Sequence, residues 1–349
     1  MRILLSYPGH SISTFDVAHG WDMALKALGH EVFVLNYEHN VPFYGAVIDY
    51  WKERNEAFQP TMRDVFWLAS QDLICKVVEC LPLDFALIVT GLLHHPRAFQ
   101  LIRKLDIPTV LLFTESPYND DMLKELLPLP DVVFTNERNS VDKFRAVNPR
   151  SYYMPHSYDP ERHHPPFDGI LDVLGSEYEH DVFFLGTMYD ERQALFDELR
   201  KHYSGDMDII GTKLGRKGEM PGAIANDTLI NHYWGTKIAL SPNRTTAGYF
   251  DKTQIDSEAY SLGPRIYELA ACGTFQLTDS GRAELLDVFG DTIPVYQNGE
   301  HLAQLIRTFL EYPRWRQELA ERARIQVKPC TFEQRAQEIL FPTLQEALQ

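Results

Sequence analysis

Short apolar runs alternate with helix-spaced segments along this chain, and the alternation is played through twice. Arg2–Tyr7 (RILLSY) has the length and apolarity of a buried strand, Trp21–Leu28 has helical spacing and stops at Gly29, and Glu31–Asn36 (EVFVLN) is the next strand. This is a βαβ unit, whose parallel strands require a right-handed crossover. The reading continues with helix Met62–Cys80, strand Phe85–Thr90, helix Pro96–Leu105, strand Thr109–Thr114, a short helix Asp121–Leu127, strand Asp131–Thr135, helix Val141–Ala146 and strand Ser151–Met154. Between Pro155 and Glu179 the pattern lapses, and PHSYDPERHHPPFDG reads as an interdomain linker. It restarts with strand Asp181–Leu185, helix Glu191–His202 and strand Met207–Ile210. Helix Thr228–Tyr233, strand Lys237–Leu240, helix Pro264–Cys272, strand Thr274–Leu277 and helix Arg282–Phe289 follow. Strand Thr292–Tyr296, helices Gly299–Leu310 and Pro313–Val327, and a last helix over about Phe332–Ala347 complete the chain. Strands separated by helices imply parallel sheets covered on both faces. The expected fold class is α/β: two Rossmann-like, doubly wound parallel-sheet domains facing a cleft, an N-terminal domain over 1–158 and a C-terminal domain over 159–330.

The length of 349 residues suits two domains of roughly 100–200 residues each. With 44% hydrophobic and 23% charged residues the composition is that of a soluble globular protein, which excludes wholesale disorder, collagen and coiled coil. A net charge of −16 argues against general affinity for nucleic acid or anionic membranes. The four cysteines, Cys75, Cys80, Cys272 and Cys330, form no CxxC pair and no zinc spacing, so free thiols in a reducing compartment are expected. There is no apolar stretch of transmembrane length and the opening run is too short for a signal peptide, so the expected location is cytoplasmic.

Open parallel sheets bind ligands beyond the carboxyl ends of their strands, but the chemistry must come from residues. The first strand is followed by Gly9, His10, Ser11, Ser13, Thr14, Asp16 and His19 rather than by GxGxxG, and no Walker A sequence occurs, which disfavours nicotinamide enzymes and P-loop NTPases. The strongest local signal is Ser261-Leu-Gly-Pro-Arg-Ile-Tyr-Glu-Leu-Ala-Ala-Cys-Gly-Thr-Phe-Gln-Leu-Thr-Asp279. Pro264 suits the first helical position, and the helix tip offers free N–H groups and the positive end of a dipole. Arg265 adds a guanidinium able to fork onto phosphate, and Glu268, one turn deeper, can accept hydrogen bonds from ribose hydroxyls. A nucleoside diphosphate fits this arrangement. Arg244, after the strand KIAL, and Lys237, opening it, are further candidates for donor contacts, and Lys213, Arg216 and Lys217 form a small basic run that reads mainly as a solvated loop. No isolated DxD stands between strands; Asp206-Met-Asp208 and Asn119-Asp-Asp121 read as structural, so no metal site is expected.

PRIYELAACGTFQLTD resembles the donor-binding segment of two-Rossmann (GT-B) retaining glycosyltransferases, and most of all that of the spore-maturation-protein (CgeB-like) group, with its PxRxxExxAxG pattern followed by an apolar strand and Thr-Asp. The resemblance extends through Arg282–Gly290, Ile293-Pro-Val-Tyr, Glu318–Arg324 and Cys330–Arg335, and includes Asp181–Thr187 with Arg192 just after it. Met154-Pro-His-Ser-Tyr-Asp-Pro160 resembles the hinge of that family. The resemblance implies a GT-B fold whose C-terminal domain binds a nucleotide sugar, with Glu268 on the ribose and Arg265 and Arg192 facing the diphosphate. It also implies an N-terminal domain that holds the acceptor, and a helix over 331–349 that crosses back to that domain. Where many relatives carry a second glutamate of an E-x7-E motif this chain has Tyr260, with Asp256 and Glu258 off register.

The implied activity is a hexosyltransferase-like transfer from a nucleotide diphosphate sugar to an acceptor hydroxyl, retaining and metal-independent, without a cofactor. A retaining transfer builds charge on the leaving diphosphate, which arginines and helix amides can stabilise. Acceptor-side candidates are those at the carboxyl ends of N-terminal strands: Glu115, Asp16 and His19 as catalytic groups, with His94, His95 and the linker residue His156 lining the cleft. The acceptor itself, whether a glycan, a protein, a small molecule or a modified DNA base, is left open. Rival readings are a glycosyltransferase acting on a modified base in phage-type DNA, an epimerase or phosphorylase of the same fold, and a non-catalytic sugar-nucleotide or glycan-binding module.

Overall fold

The computed structural model describes residues 1–9, 15–38, 40–55, 57, 59–212, 226–245, 259–279 and 281–349. The chain divides into two units, Met1–Pro155 with Phe332–Gln349, and His156–Thr331.

In unit 1, among the described residues, six parallel strands pair in the order β2-β1-β3-β4-β5-β6: β1 (Arg2–Tyr7), β2 (Glu31–Asn36), β3 (Phe85–Val89), β4 (Thr109–Phe113), β5 (Val132–Thr135) and β6 (Ser151–Tyr153). The central strands β3, β4 and β5 are buried throughout because both faces are covered. Alternate residues feed two cores. Ile3, Leu5, Leu87, Val89 and Leu112 pack under helix α1 (Phe15–Ala27), while Leu4, Ala86, Ile88, Leu111 and Phe113 pack under the opposite layer. That layer comprises α2 (Asn40–Lys52), α3 (Met62–Glu79), α4 (Pro96–Arg103) and, after β5, α5 (Val141–Arg145). The C-terminal run, α13 (Phe332–Arg335), a π turn at Ala336–Leu340 and α14 (Phe341–Ala347), belongs to the first of these layers; Phe332 lies edge-on to Trp21 at 5.6 Å. Gly20 makes room for that ring, since a methyl group there would stand 2.1 Å from it. Helix α2 is absent from the sequence reading. Pro42, which argues against a helix in mid-run, sits in its first turn, where a missing N–H is harmless.

In unit 2, among the described residues, five parallel strands pair in the order β11-β10-β9-β7-β8: β7 (His180–Thr187), β8 (Met207–Thr212), β9 (Thr236–Ser241), β10 (Gln276–Asp279) and β11 (Val295–Tyr296). The chain leaves β7 on one side to form β8 and returns on the other to form β9, so the topological switch lies between β7 and β9. In such sheets that is where a crevice opens at the carboxyl ends of the strands. Helices α6 (Ile170–Val173), α7 (Asp190–His202), α8 (Asn226–Gly235), α9 (Pro264–Ala271), α10 (Glu284–Phe289), α11 (Gly299–Glu311) and α12 (Pro313–Val327) complete the unit. One sheet face (Val182, Phe184, Ile238, Leu240, Leu277) packs on Phe196 and Leu199 of α7 and on α11; the other (Phe183, Leu185, Ala239) packs on Tyr233 of α8 and Leu269 of α9. No helix among the described residues is long and apolar enough to cross a membrane.

Candidate functional site

The carboxyl ends of β7 and β9 are tied together by one guanidinium. Arg192, in the first turn of α7, donates from Nη1 to the Thr187 carbonyl (2.9 Å) and from Nη2 to the Pro242 carbonyl (2.8 Å). The switch point is therefore braced by a cation. Arg265, the second residue of α9, reaches the same place from the other helix. A methyl group at Gly186 would lie 3.0 Å from Arg265 Nη1 and 3.4 Å from Arg192 Nη1, so both guanidinium tips converge over a residue that has no side chain. Both also lie near Phe184, at 5.6 and 5.9 Å from the ring centre. Arg244 stands 4.7 Å from the Tyr189 ring, and Arg192 stands 5.3 Å from that ring. Loss of hydration, aided by the charge of Arg265, pushes the Arg192 pKa down to about 10, still protonated at neutral pH. The Nε atoms of Arg192 and Arg265 are buried and make no hydrogen bond with the described residues. Two guanidiniums held this close repel each other, and an anion between them relieves that repulsion.

Helix α9 begins at Gly263, which has no side chain to cap it, and Pro264 follows at the first helical position. The positive end of the helix dipole thus adds to the field of the arginines. One turn in, Glu268 is 7% exposed, and Tyr233 of α8 donates to its Oε2 at 3.3 Å. Burial raises the carboxyl pKa, and the charges of Arg265 and Arg162 oppose that rise. At the end of β10, Asp279 accepts from the Asn243 backbone N–H (2.9 Å) and from its side-chain amide. Its neighbour in register on β11, Tyr296, is buried with its hydroxyl unpartnered among the described residues. Burial, followed by the charge of Asp279, pushes that phenol well above its usual range.

Of the residues read from the sequence, the structure brings Arg192 and Arg265 together and sets Glu268 one helical turn from Arg265. Gly186, Asp279 and Tyr296 lie in the segments quoted for the resemblance but were given no role there, and Tyr233, Asn243 and Arg162 were given none either. Gly186 carried a further signal, since a glycine ending a strand often marks a close approach.

In unit 1, Glu115 follows β4 at its carboxyl end, half-buried, and accepts from Asn119 Nδ2 at 3.3 Å. Asp16 lies in the first turn of α1, and His19, one turn on, stacks on Phe15 at 5.6 Å. A strained residue missed in the sequence is Thr90, a β-branched residue at φ 63° just beyond β3, followed by Gly91 at φ 72°.

Three sequence expectations change. Lys237 sits at the amino end of β9, not the carboxyl end, and its Nζ pairs with Asp181 at 2.6 Å, away from the arginines. His94 is a core residue: it is 4% exposed, lies within hydrogen-bond distance of Ser6 Oγ (3.2 Å) and packs between Tyr37 and Phe99, and burial lowers its pKa to about 4. His95 is the N-cap of α4, where its Nδ1 accepts from the Arg97 N–H at 3.2 Å. His156 is buried, and burial lowers its pKa to about 4, so its ring is neutral at neutral pH. His10, Ser11, Ser13, Thr14, Lys213, Arg216, Lys217, Asp256 and Glu258 lie outside the described residues. Among the described residues no cluster of His, Cys, Asp or Glu has a geometry able to hold a metal ion.

Two Rossmann-like parallel units, the second with two guanidiniums converging at its switch point, constitute the GT-B fold, and the chain is a glycosyltransferase. Residues 192–340 match a family described as glycosyl transferase-like. Among individual proteins, the chain is similar to the spore protein CgeB of Bacillus subtilis (strain 168), 24% identical over 258 residues, which span 68% of this chain and 77% of that protein. Among solved structures it is similar to sucrose-phosphate synthase from Thermosynechococcus elongatus (TM-score 0.63, 12% identity, 100% of this chain and 99% of that one). It is also similar to Anabaena HepE in complex with UDP-glucose (TM-score 0.61, 11% identity, 97% and 99%).

Proposed function

We propose that this glycosyltransferase moves a hexose from a nucleoside diphosphate sugar to an acceptor hydroxyl, with retention and without a divalent metal. The observation that carries the reading is the convergence of Arg192 and Arg265 over Gly186, beside the uncapped tip of α9. In this reading the diphosphate rests on the two guanidiniums and the helix tip, and Glu268 accepts hydrogen bonds from the ribose. Glycosyl transfer places its developing negative charge on the leaving diphosphate oxygen. Fixed cations in a partly dry crevice stabilise that charge more in the transition state than in the ground state. The arginine pair thereby supplies the charge that a divalent ion supplies elsewhere. A carboxylate with a raised pKa remains a good acceptor once two ribose hydroxyls and the nearby arginines favour its charged form. Glu115, Asp16 and His19 of unit 1 are our candidates for orienting the acceptor hydroxyl. A sugar nucleotide is a cytoplasmic metabolite, and we assign the enzyme to that compartment.

The test is a thermal-shift screen of UDP-, GDP-, ADP-, CMP- and dTDP-sugars. At a hundredfold excess over Kd a bound donor adds about 2.7 kcal/mol, or roughly 4 °C for a chain of 349 residues. Glu268→Ala should abolish the shift while the apo protein keeps its melting temperature; an undiminished shift refutes the assignment. NMR of the anomeric product tests retention, and activity that survives a chelator tests metal independence.

A further inference from the structure

The turn that leaves the carboxyl end of β9 is held at five consecutive residues, Ser241 to Thr245, each by a side chain from another segment of unit 2. The Ser241 carbonyl accepts from Thr278 Oγ1 (2.8 Å) and the Pro242 carbonyl from Arg192 Nη2 (2.8 Å). Asn243 donates its backbone N–H to Asp279 Oδ2 (2.9 Å) and its side-chain amide to Oδ1 of the same carboxylate. The Arg244 carbonyl accepts from Arg282 Nη2 (2.6 Å), and the Thr245 N–H donates to Glu191 Oε1 (3.1 Å). This turn is not core: Asn243 and Arg244 are half-buried and Thr245 is exposed. Ordering such a segment costs conformational entropy and buries little apolar area in return. What the turn carries is charge. Its Pro242 carbonyl pins Arg192, and its own Arg244 lies 4.7 Å from the Tyr189 ring that Arg192 approaches at 5.3 Å. Asp279 is the two-point contact of this brace. A carboxylate beside a crevice for anions opposes anion binding by Coulomb repulsion. Its place there is accounted for by the two N–H groups it holds and not by its charge.

We propose that Asp279 is a positioning residue for donor binding: through Asn243 it fixes the turn from Ser241 to Thr245, and the turn sets the guanidiniums of Arg192 and Arg244 where the diphosphate rests. The inference rests on the donor reading and adds to it a carboxylate that helps to bind an anion without touching it. Preorganising the cations in this way removes an ordering cost from the binding step.

The test is calorimetric titration of pyrophosphate into the full chain and its variants, each checked for folding by its thermal melt. Asp279→Ala should weaken binding about fivefold or more, although loss of a nearby negative charge would by itself tighten the binding of an anion. That sign separates positioning from simple electrostatics. In an Arg192→Gln/Arg244→Gln background the same substitution should cost nothing further, because the groups it positions are gone. Asn243→Asp sets two carboxylates against each other and should weaken binding. The exchanged pair Asn243→Asp/Asp279→Asn can remake both hydrogen bonds and should return the affinity to within about twofold of wild type. Should Asp279→Ala not fold, Asn243→Ala removes only the side-chain half of the brace and should weaken binding about twofold to threefold. Unchanged or tighter binding in the folded alanine variant, an equal loss in the arginine-free background, or an exchanged pair no better than Asn243→Asp alone would each overturn the proposal. The two readings fail differently. Wild type that does not bind pyrophosphate, or Arg192→Gln that binds it fully, refutes the donor reading and this inference with it. Weakened binding in Arg192→Gln with full affinity in Asp279→Ala refutes the inference alone.

Discussion

Adding one methyl group at Gly186 is the sharpest perturbation the arginine site allows. Gly186 does not occupy the left-handed region, so alanine introduces no backbone strain there. The whole effect comes from three contacts: 3.0 Å to Arg265 Nη1, 3.1 Å to Phe184 Cζ and 3.4 Å to Arg192 Nη1. Each must relax by a few tenths of an ångström. Phe184 is held in the core against Phe196 at 4.7 Å, and Arg192 is pinned to two carbonyls, so Arg265 is the group that moves. Overpacking costs about 1–3 kcal/mol, and the flexible end of Arg265 puts this case near 1, which lowers Tm by roughly 1–2 °C in a chain of 349 residues. Binding suffers more. A displaced guanidinium forfeits a charge-assisted hydrogen bond of about 1.5–3 kcal/mol, a loss of about tenfold or more in affinity. Titration of UDP and of pyrophosphate into wild type and Gly186→Ala reads this directly. Full affinity in a variant of lowered Tm would mean that the diphosphate does not rest on these guanidiniums.

Other expectations follow from single groups. Tyr296→Phe deletes a buried hydroxyl that has no partner among the described residues, so the apo protein should gain up to about 1 kcal/mol in a urea melt; a loss of that size would reveal a partner. Phe332→Ala should cost about 3–5 kcal/mol by emptying the space between Trp21 and Gly20, and an unchanged denaturation midpoint would detach the C-terminal run from the core of unit 1. His94 has a folded pKa of about 4, below its unfolded value of about 6.5, so the unfolded chain binds the proton first. Its contribution is therefore intact above pH 6.5 and lost as pH falls toward 4. Wild type should lose about 3 kcal/mol relative to His94→Gln across that window in paired urea melts, and parallel curves would contradict the burial argument.

The fold was legible because its signal is local and repeated. Runs such as RILLSY, FALIVT and DVFFL are apolar without alternation, and only a sheet covered on both faces makes such strands. The α9 segment was legible for the same reason, since Pro264, Arg265 and Glu268 lie within five residues. Helix α2 went unread although its proline sits in the first turn, where a missing N–H costs nothing. Lys237 was misplaced even though its position at the start of a strand already sets it at the amino end of the sheet. His94 was misread because a histidine in a loop looks exposed until Tyr37 and Phe99 are known to enclose it.

Composition, hydrophobic period and short-range caps were enough to determine two parallel α/β units and the helix tip at Pro264, because each depends on neighbours within a turn or a strand. The meeting of Arg265 with Arg192 and Gly186, and the pairing of Tyr233 with Glu268, were decided only by the tertiary structure. The partners come from segments tens of residues apart, and the strand order that brings them together is set by the packing of the whole unit.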